Sequence, residues 1–255
     1  MAKIAIVTVP YLKSTDHFYF AEGTINSLVA NRTFHTLDLI AIVNANECGS
    51  EATTWLRKTF HYIEENDENC VARGWNKGLD RGFHRGADYC LVINLDLLFH
   101  PLYLENLLSF AESNRGAIMW SGELWTEEAT LSSAPLSGEI AQGCHASAFL
   151  VDRRLTELVG PFDEGFKPAY FEDIDMFYRM KLAGYSGLRS ASARFLHYEN
   201  ITIQSALIKK EILFVRDLRR AVDANEHRYT QKWGGPQGAE RFTTPFNEPY
   251  SKTNA

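Results

Sequence analysis

Two short β-branched runs, KIAIVTV (Lys3 to Val9) and DLIAIV (Asp38 to Val43), bracket the helically spaced segment HFYFAEGTINSLVANR. Strand, helix, strand within about 40 residues is the signature of a right-handed parallel crossover. Pro10 stops the first run, and the turn-rich NANECGS stops the second. Between them Phe18, Ile25, Leu28 and Val29 fall on one side of the helix.

The pattern continues along the chain. EATTWLRKTFHYIEEN reads as the next helix, and NCVARGWNKGLDRGFHRGADYC leads into the strand YCLVINLD. Gly74, Gly78, Gly82 and Gly86 precede that strand. Each would cost a helix about 1 kcal/mol relative to alanine, so their number suggests close approach of backbone to backbone or to a ligand. PLYLENLLSFAESNRG is helical with a glycine stop, and AIMWSG is a further strand. From Trp125 to Gln142 the pattern loosens into a Ser, Ala, Pro and Gly loop. ASAFLVDRR reads as a strand, YFEDIDMFYRMKLAG as a helix and ARFLHYE as a last strand. A long amphipathic helix follows from Ile201 to Asn225, and the tail from Pro236 is polar and extended. The expectation is an α/β fold with a mixed, mostly parallel central sheet flanked by helices. Residues 1–200 would form the main domain, with the helix and tail of 201–255 packed on it.

Composition removes several alternatives. The 255 residues carry a formal charge of −6, which argues against a whole-surface role in binding nucleic acid. Cys48, Cys70, Cys90 and Cys144 are widely spaced, without a zinc-type pattern. No apolar run reaches the ~18 residues of a membrane span, and the chain opens directly on a strand-like run. A cytoplasmic protein with reduced thiols is expected.

In open α/β sheets ligands sit outside the carboxyl ends of the strands. Pro10, Asn44 and the Asn94/Asp96 pair all fall at such ends. Asn94 and Asp96 are two apart on an extended chain and point the same way. They could face one hard cation such as Mg²⁺ or Mn²⁺, or they could close the strand as an Asx turn. Glu172, Asp173 and Asp175 open a helix, where carboxylates cap it and oppose its dipole. Asp175 could pair with Arg179 one turn on. Three acids exceed what capping needs, and one could act as a general base toward a hydroxyl. His197 ends the last strand and by itself reads as a hydrogen-bonded structural histidine; His145 could line a pocket.

Three segments together resemble the family-2 glycosyltransferases, inverting GT-A enzymes that use nucleotide-sugar donors. They are NCVARGWNKGLDRGFHRGADYCLVINLD, FLVDRRLTELVGPFDEGFKPAYFEDIDMFYRMKLAGY and FLHYEN, and order and spacing agree from about Lys3 to Asn200. The resemblance implies that Asp96, with Asn94, binds the divalent metal (Mn²⁺ or Mg²⁺) holding the donor diphosphate. It implies that Asp173, in the pair with Glu172, deprotonates the acceptor hydroxyl, and that His197 is a further metal or diphosphate contact. Val9, Pro10, Tyr11, Asn44 and Asn46 would frame the base and ribose, and Gly74, Asn76 and Gly78 would border the nucleotide. The first acid of the metal motif is Asn94 here, a form shared with rhamnosyltransferase-like members. A thymidine or uridine diphosphate sugar is the implied donor, and a glycan or glycolipid the acceptor.

Two other classes were weighed. A sugar nucleotidyltransferase needs a glycine-rich phosphate loop after its first strand, and VTVPYLKSTDHF has no glycine. A non-catalytic nucleotide-sugar-binding relative has Asn94 in its favour and the Glu172–Asp173 pair against it. Lys209, Lys210, Arg216, Arg219 and Arg220 on the long helix could seat it on an anionic membrane face; a solvated basic face is the plainer reading.

Overall fold

The computed structural model describes residues 1–46, 49–198 and 212–249. The first crossover forms as expected, from β1 (Lys3–Thr8) through α1 (Thr15–Val29) to β3 (Thr36–Val43), and β1 pairs parallel with β3. Ser14 caps α1 by accepting from His17 N at 3.3 Å. Beyond β1 and β3 the chain makes a second, two-stranded parallel sheet, β2 (Tyr11–Leu12) with β4 (Ala45–Asn46).

One expected helix is shorter than its sequence suggested. α2 (Gly49–Thr59) stops before β5 (Tyr62–Glu65), which joins β3 as a parallel edge strand. The HYIEE stretch is therefore a strand rather than helix. Its alternation is polar: Tyr62 and Glu64 face Arg81, whose Nε donates to both at 3.0 and 3.1 Å. Charge rather than apolar burial covers this face, which hides it from hydrophobic periodicity.

α3 (Val71–His84) contains three of the four noted glycines and lies against β1. A Cβ on Gly74 would stand 2.6 Å from Val9 Cγ2, one on Gly82 would stand 2.7 Å from Cys90 Sγ, and one on Gly78 would collide with Val7. The glycine stripe is thus a packing seam between helix and sheet.

β6 (Tyr89–Ile93) completes the parallel half, beside β1. β7 (Leu97–Phe99), α4 (Tyr103–Ser113), β8 (Met119–Trp125), β9 (Ile140–Gln142) and β10 (Ala148–Val151) follow. After the short α5 (Arg154–Leu158) come α6 (Glu172–Leu182), β11 (Gly187–His197) and α7 (Ile212–Trp233). The nine-stranded sheet runs β5-β3-β1-β6-β10-β8-β11-β7, with β9 added to β11. β10, β7 and β9 run against the others, so the sheet is mixed and mostly parallel. Apolar side chains fill both faces: α1 and α4 cover one, α3 and α6 the other. The 125–142 stretch expected as loop carries β9, and 201–211, with Lys209 and Lys210, lie outside the described residues.

α7 is docked by a buried polar knot. Asp175 is fully buried and accepts from Lys232 Nζ at 2.6 Å, Trp233 Nε1 at 2.8 Å and Arg179 Nε at 2.8 Å. Around it Phe166, Tyr178, Tyr229 and Trp233 form a third apolar cluster. The tail folds back on this unit through Tyr178 Oη donating to Phe242 O at 2.8 Å.

Candidate functional site

The carboxyl ends of β1 and β6 open into two adjoining cavities of about 210 and 180 Å³ that share Val9, Tyr11 and Val71 as walls. The first extends to Asn94 and Asp96, the second to Asn44, Asn69 and Tyr170. Asn44 is held by its backbone N–H to Pro10 O at 2.9 Å, and its Oδ1 accepts from Asn66 Nδ2 at 2.6 Å. Of the expected nucleotide residues, Val9, Tyr11, Asn44 and Asn94 line this cleft, and Pro10 braces it. Asn46 is in β4, paired with Leu12 of β2.

Asp96 and His197 meet through strand pairing. β6 ends at Ile93, the Asn94–Asp96 step follows, and β7 returns antiparallel to β11 with His197 opposite Leu97. Tyr198 N donates to Asp96 O at 2.9 Å, which pins the crossing. His197 Nε2 consequently lies 3.1 Å from Asp96 Oδ1, both side chains about one-fifth exposed. At that separation the imidazole and the carboxylate contact each other directly, and as a donor set one nitrogen with one carboxylate fits Mn²⁺ better than Mg²⁺, which favours oxygen ligands. Among the described residues no group of three or more His, Cys, Asp or Glu forms a closed cage.

Glu172 and Asp173 sit at the start of α6, preceded by Tyr170 and Phe171 at φ 76° and 75°. Two consecutive side-chain-bearing residues in the left-handed region are costly, and such strain persists where surroundings enforce it. Here the enforcing residue is Asn225 of α7, almost fully buried, whose Nδ2 donates to the carbonyls of Lys167, Ala169 and Tyr170 at 3.2, 2.9 and 3.1 Å. Val71 N, at the start of α3, takes Pro168 O at 2.9 Å. The backbone is clamped from two sides immediately before the acids.

Burial, and then the neighbouring Asp173 charge, pushes the Glu172 carboxyl up to about 8. Its Oε2 is buried without a hydrogen-bond partner. Burial also raises Asp173, opposed by backbone N–H groups at the helix start. Glu172 therefore keeps its proton at neutral pH, with the Asp173 carboxyl beside it. Tyr170 is raised by burial and by the charges of both Glu172 and Asp96. The two acid-bearing ends thus share one electrostatic neighbourhood.

Three expected nucleotide neighbours are placed otherwise. Gly74 and Gly78 are covered by Val9 and Val7, a layer behind the cleft wall. Asn76 Nδ2 donates to Phe162 O at 2.9 Å and its Oδ1 accepts from Phe162 N at 2.8 Å, which ties α3 to the 162–164 turn. These positions pack and brace α3 against the sheet and the 162–164 turn. Asp175 forms the expected pair with Arg179. His145 lies where the charges of Arg189, Glu123 and His197 all reach it.

Comparison with known structures settles the architecture. S. aureus TarS superposes with a TM-score of 0.57 at 13% identity, over 77% of this chain and 36% of TarS. GalNAc-T7, solved with UDP, GalNAc and Mn²⁺, superposes with a TM-score of 0.60 at 10% identity, over 77% of this chain and 44% of that one. The chain has the GT-A fold. TarS 1-349 in complex with UDP agrees, with a TM-score of 0.56 at 12% identity, over 76% of this chain and 60% of that one. In sequence, a Leishmania donovani protein named galactofuranosyl glycosyltransferase is 39% identical over 57 residues, 22% of this chain and 13% of that protein. The GT-A chain therefore spans less than two thirds of each of these proteins, from 13% to 60%. No protein-family model matches the sequence.

Sequence reasoning missed several parts of the GT-A cleft. Tyr170 and Phe171 gave a weak signal, two aromatics ahead of the acids. Asn225, Phe214 and Leu218 gave none, because α7 reaches the cleft from more than forty residues away.

Proposed function

We propose that this chain is an inverting glycosyltransferase that moves a sugar from a nucleoside-diphosphate donor to a hydroxyl of a glycan or glycolipid. The observation that carries the reading is the cleft at the carboxyl ends of β1 and β6: Asn94 and Asp96 line one part of it, with His197 against Asp96, and Tyr170 lines the other, immediately before Phe171 and the Glu172–Asp173 pair. The GT-A neighbours solved with UDP support a nucleotide in this cleft.

Each residue has a distinct task. Val9, Tyr11 and Asn44 form the walls that receive the nucleoside, while Asn94 and Asp96 face its diphosphate. A divalent cation held by Asp96 and His197 would offset the charge that develops on the leaving diphosphate. Asp173 accepts the acceptor hydroxyl's proton as that oxygen bonds to the anomeric carbon and the carbon–phosphate oxygen bond breaks. Attack from the face opposite the leaving group inverts the centre. Protonated Glu172 adds no second negative charge beside the base. Asn225 and the left-handed Tyr170–Phe171 step hold both acids at the cleft.

The test is calorimetric titration with thymidine, uridine and guanosine diphosphates, each with and without Mn²⁺. Metal-dependent binding of one nucleotide, lost in Asp96→Ala, is expected, and transfer should vanish in Asp173→Asn while nucleotide binding remains. A folded protein that binds none of the three would refute the reading.

A further inference from the structure

A further cavity lies outside the nucleotide cleft. It measures about 550 Å³ and lies between the 135–141 segment and the β8 and β11 strands, with Glu123, Trp125, Glu139, Ile140, Arg189 and Arg194 in its wall. Trp125 is held in place on several sides. Its Nε1 donates to Thr130 Oγ1 at 3.0 Å, and the Arg194 guanidinium carbon lies 4.2 Å from its ring centroid. Arg194 is itself fixed, 98% buried, with its Nη groups donating to Ala134 O and Pro135 O. Its Nε is buried without a hydrogen-bond partner. Arg189 pairs with Glu123 at 2.8 Å, which presents a donor and an acceptor together.

We infer that this cavity is a binding site for a neutral saccharide, the acceptor glycan of the reaction proposed above. A rigid ring, fixed guanidinium and carboxylate groups and a half-apolar lining are the elements a polyol needs: a platform for C–H faces and paired donors and acceptors for hydroxyls. The wall holds two arginines and two glutamates, so it offers no net charge to a phosphate or a polyanion. The cavity also has the right position. Arg189 Nη1 in its wall stands 3.4 Å from His145 Nε2, and His145 in turn lies within reach of the charge on His197. Ile140, 56% exposed, stands at the mouth.

The inference rests on the transferase reading, and the test separates the two. Saturation-transfer NMR is recorded with methyl glycosides of galactose, glucose, mannose and rhamnose, with lactose and with galacturonic acid. Parallel calorimetry uses uridine and thymidine diphosphates with Mn²⁺. The expected result is transfer to at least one neutral sugar, reduced at least tenfold in Trp125→Ala and in Ala141→Trp, which fills the cavity from its β9 side. Nucleotide binding should be the same in both variants, which also shows that they fold. Nucleotide binding without any neutral saccharide signal overturns the cavity assignment and leaves the donor reading standing. Saccharide binding without any nucleotide binding upholds the cavity and removes the donor reading. A signal from galacturonic acid alone overturns the neutral class, and one that survives both variants overturns the location.

Discussion

Replacing Asp175 with alanine removes the centre of the knot that docks α7. Its carboxylate is fully buried and takes hydrogen bonds from Lys232, Trp233 and Arg179. Without it, Lys232, only 5% exposed, keeps a single carboxylate, Asp163 at 2.8 Å, and the indole N–H loses its acceptor. Breaking a buried pair by deleting one partner typically costs 3–5 kcal/mol, because the remaining charge stays desolvated. For a chain of this size each kcal/mol lowers the melting temperature by about 2–4 °C, so a drop of roughly 6–20 °C is expected. Urea titration of the same variant measures the free energy directly. Asp173→Asn, two residues earlier, is the control. Burial already raises the Asp173 carboxyl, so removing its charge should leave stability unchanged or slightly higher while ending transfer. The double variant Asp175→Leu/Lys232→Met should recover most of the loss, since an apolar pair of similar volume is tolerated where an unpaired charge is not. An Asp175→Ala protein within 1 kcal/mol of the parent, or an Asp173→Asn protein as unstable as Asp175→Ala, would refute this division of the acids into one structural and one chemical member.

Gly78→Ala should cost about 1–3 kcal/mol by urea unfolding, because the new methyl meets Val7 inside a packed layer, whereas the same change at Gly116 meets open space. Stability should fall as pH rises from about 4.5 toward 8, since folded Glu172 keeps its proton through that range while the unfolded chain has released it. The loss is at most about 5 kcal/mol, and Glu172→Gln should flatten the profile between those pH values. The opposite sign holds for Asp163, lowered to about 2 against its burial by Lys232 and Arg228: its contribution is present above about pH 4 and disappears as pH falls through 2, a slope that Asp163→Asn removes. Asn225→Ala should lower transfer turnover about tenfold through lost positioning while donor affinity changes little; hydrogen exchange at residues 169–173 should quicken in the same variant, and unchanged exchange would count against the clamp.

How much of this was legible in the sequence follows from what each feature depends on. The β1–α1–β3 crossover and the Asn94–Asp96 step are local, and residues near one another in the chain decide them, so periodicity and turn chemistry expose them. The glycines before β6 were legible as a close approach, but their partner was not: a sequence cannot say whether the surface facing a glycine is a ligand or Val7. The β5 edge was hidden because its inward side chains are Tyr62 and Glu64, satisfied by Arg81 rather than by apolar burial. The acid pair shows the sharpest limit. Which acid of Glu172, Asp173 and Asp175 is chemical and which is structural depends on Lys232, Trp233 and Asn225, all from α7, whose register against α6 is a tertiary fact. The same helix that neutralises Asp175 also clamps the strained turn that presents Glu172 and Asp173. A change in how α7 docks must therefore alter stability and acid placement together, which couples the far end of the chain to the cleft without any of its described residues belonging to the acid pair itself.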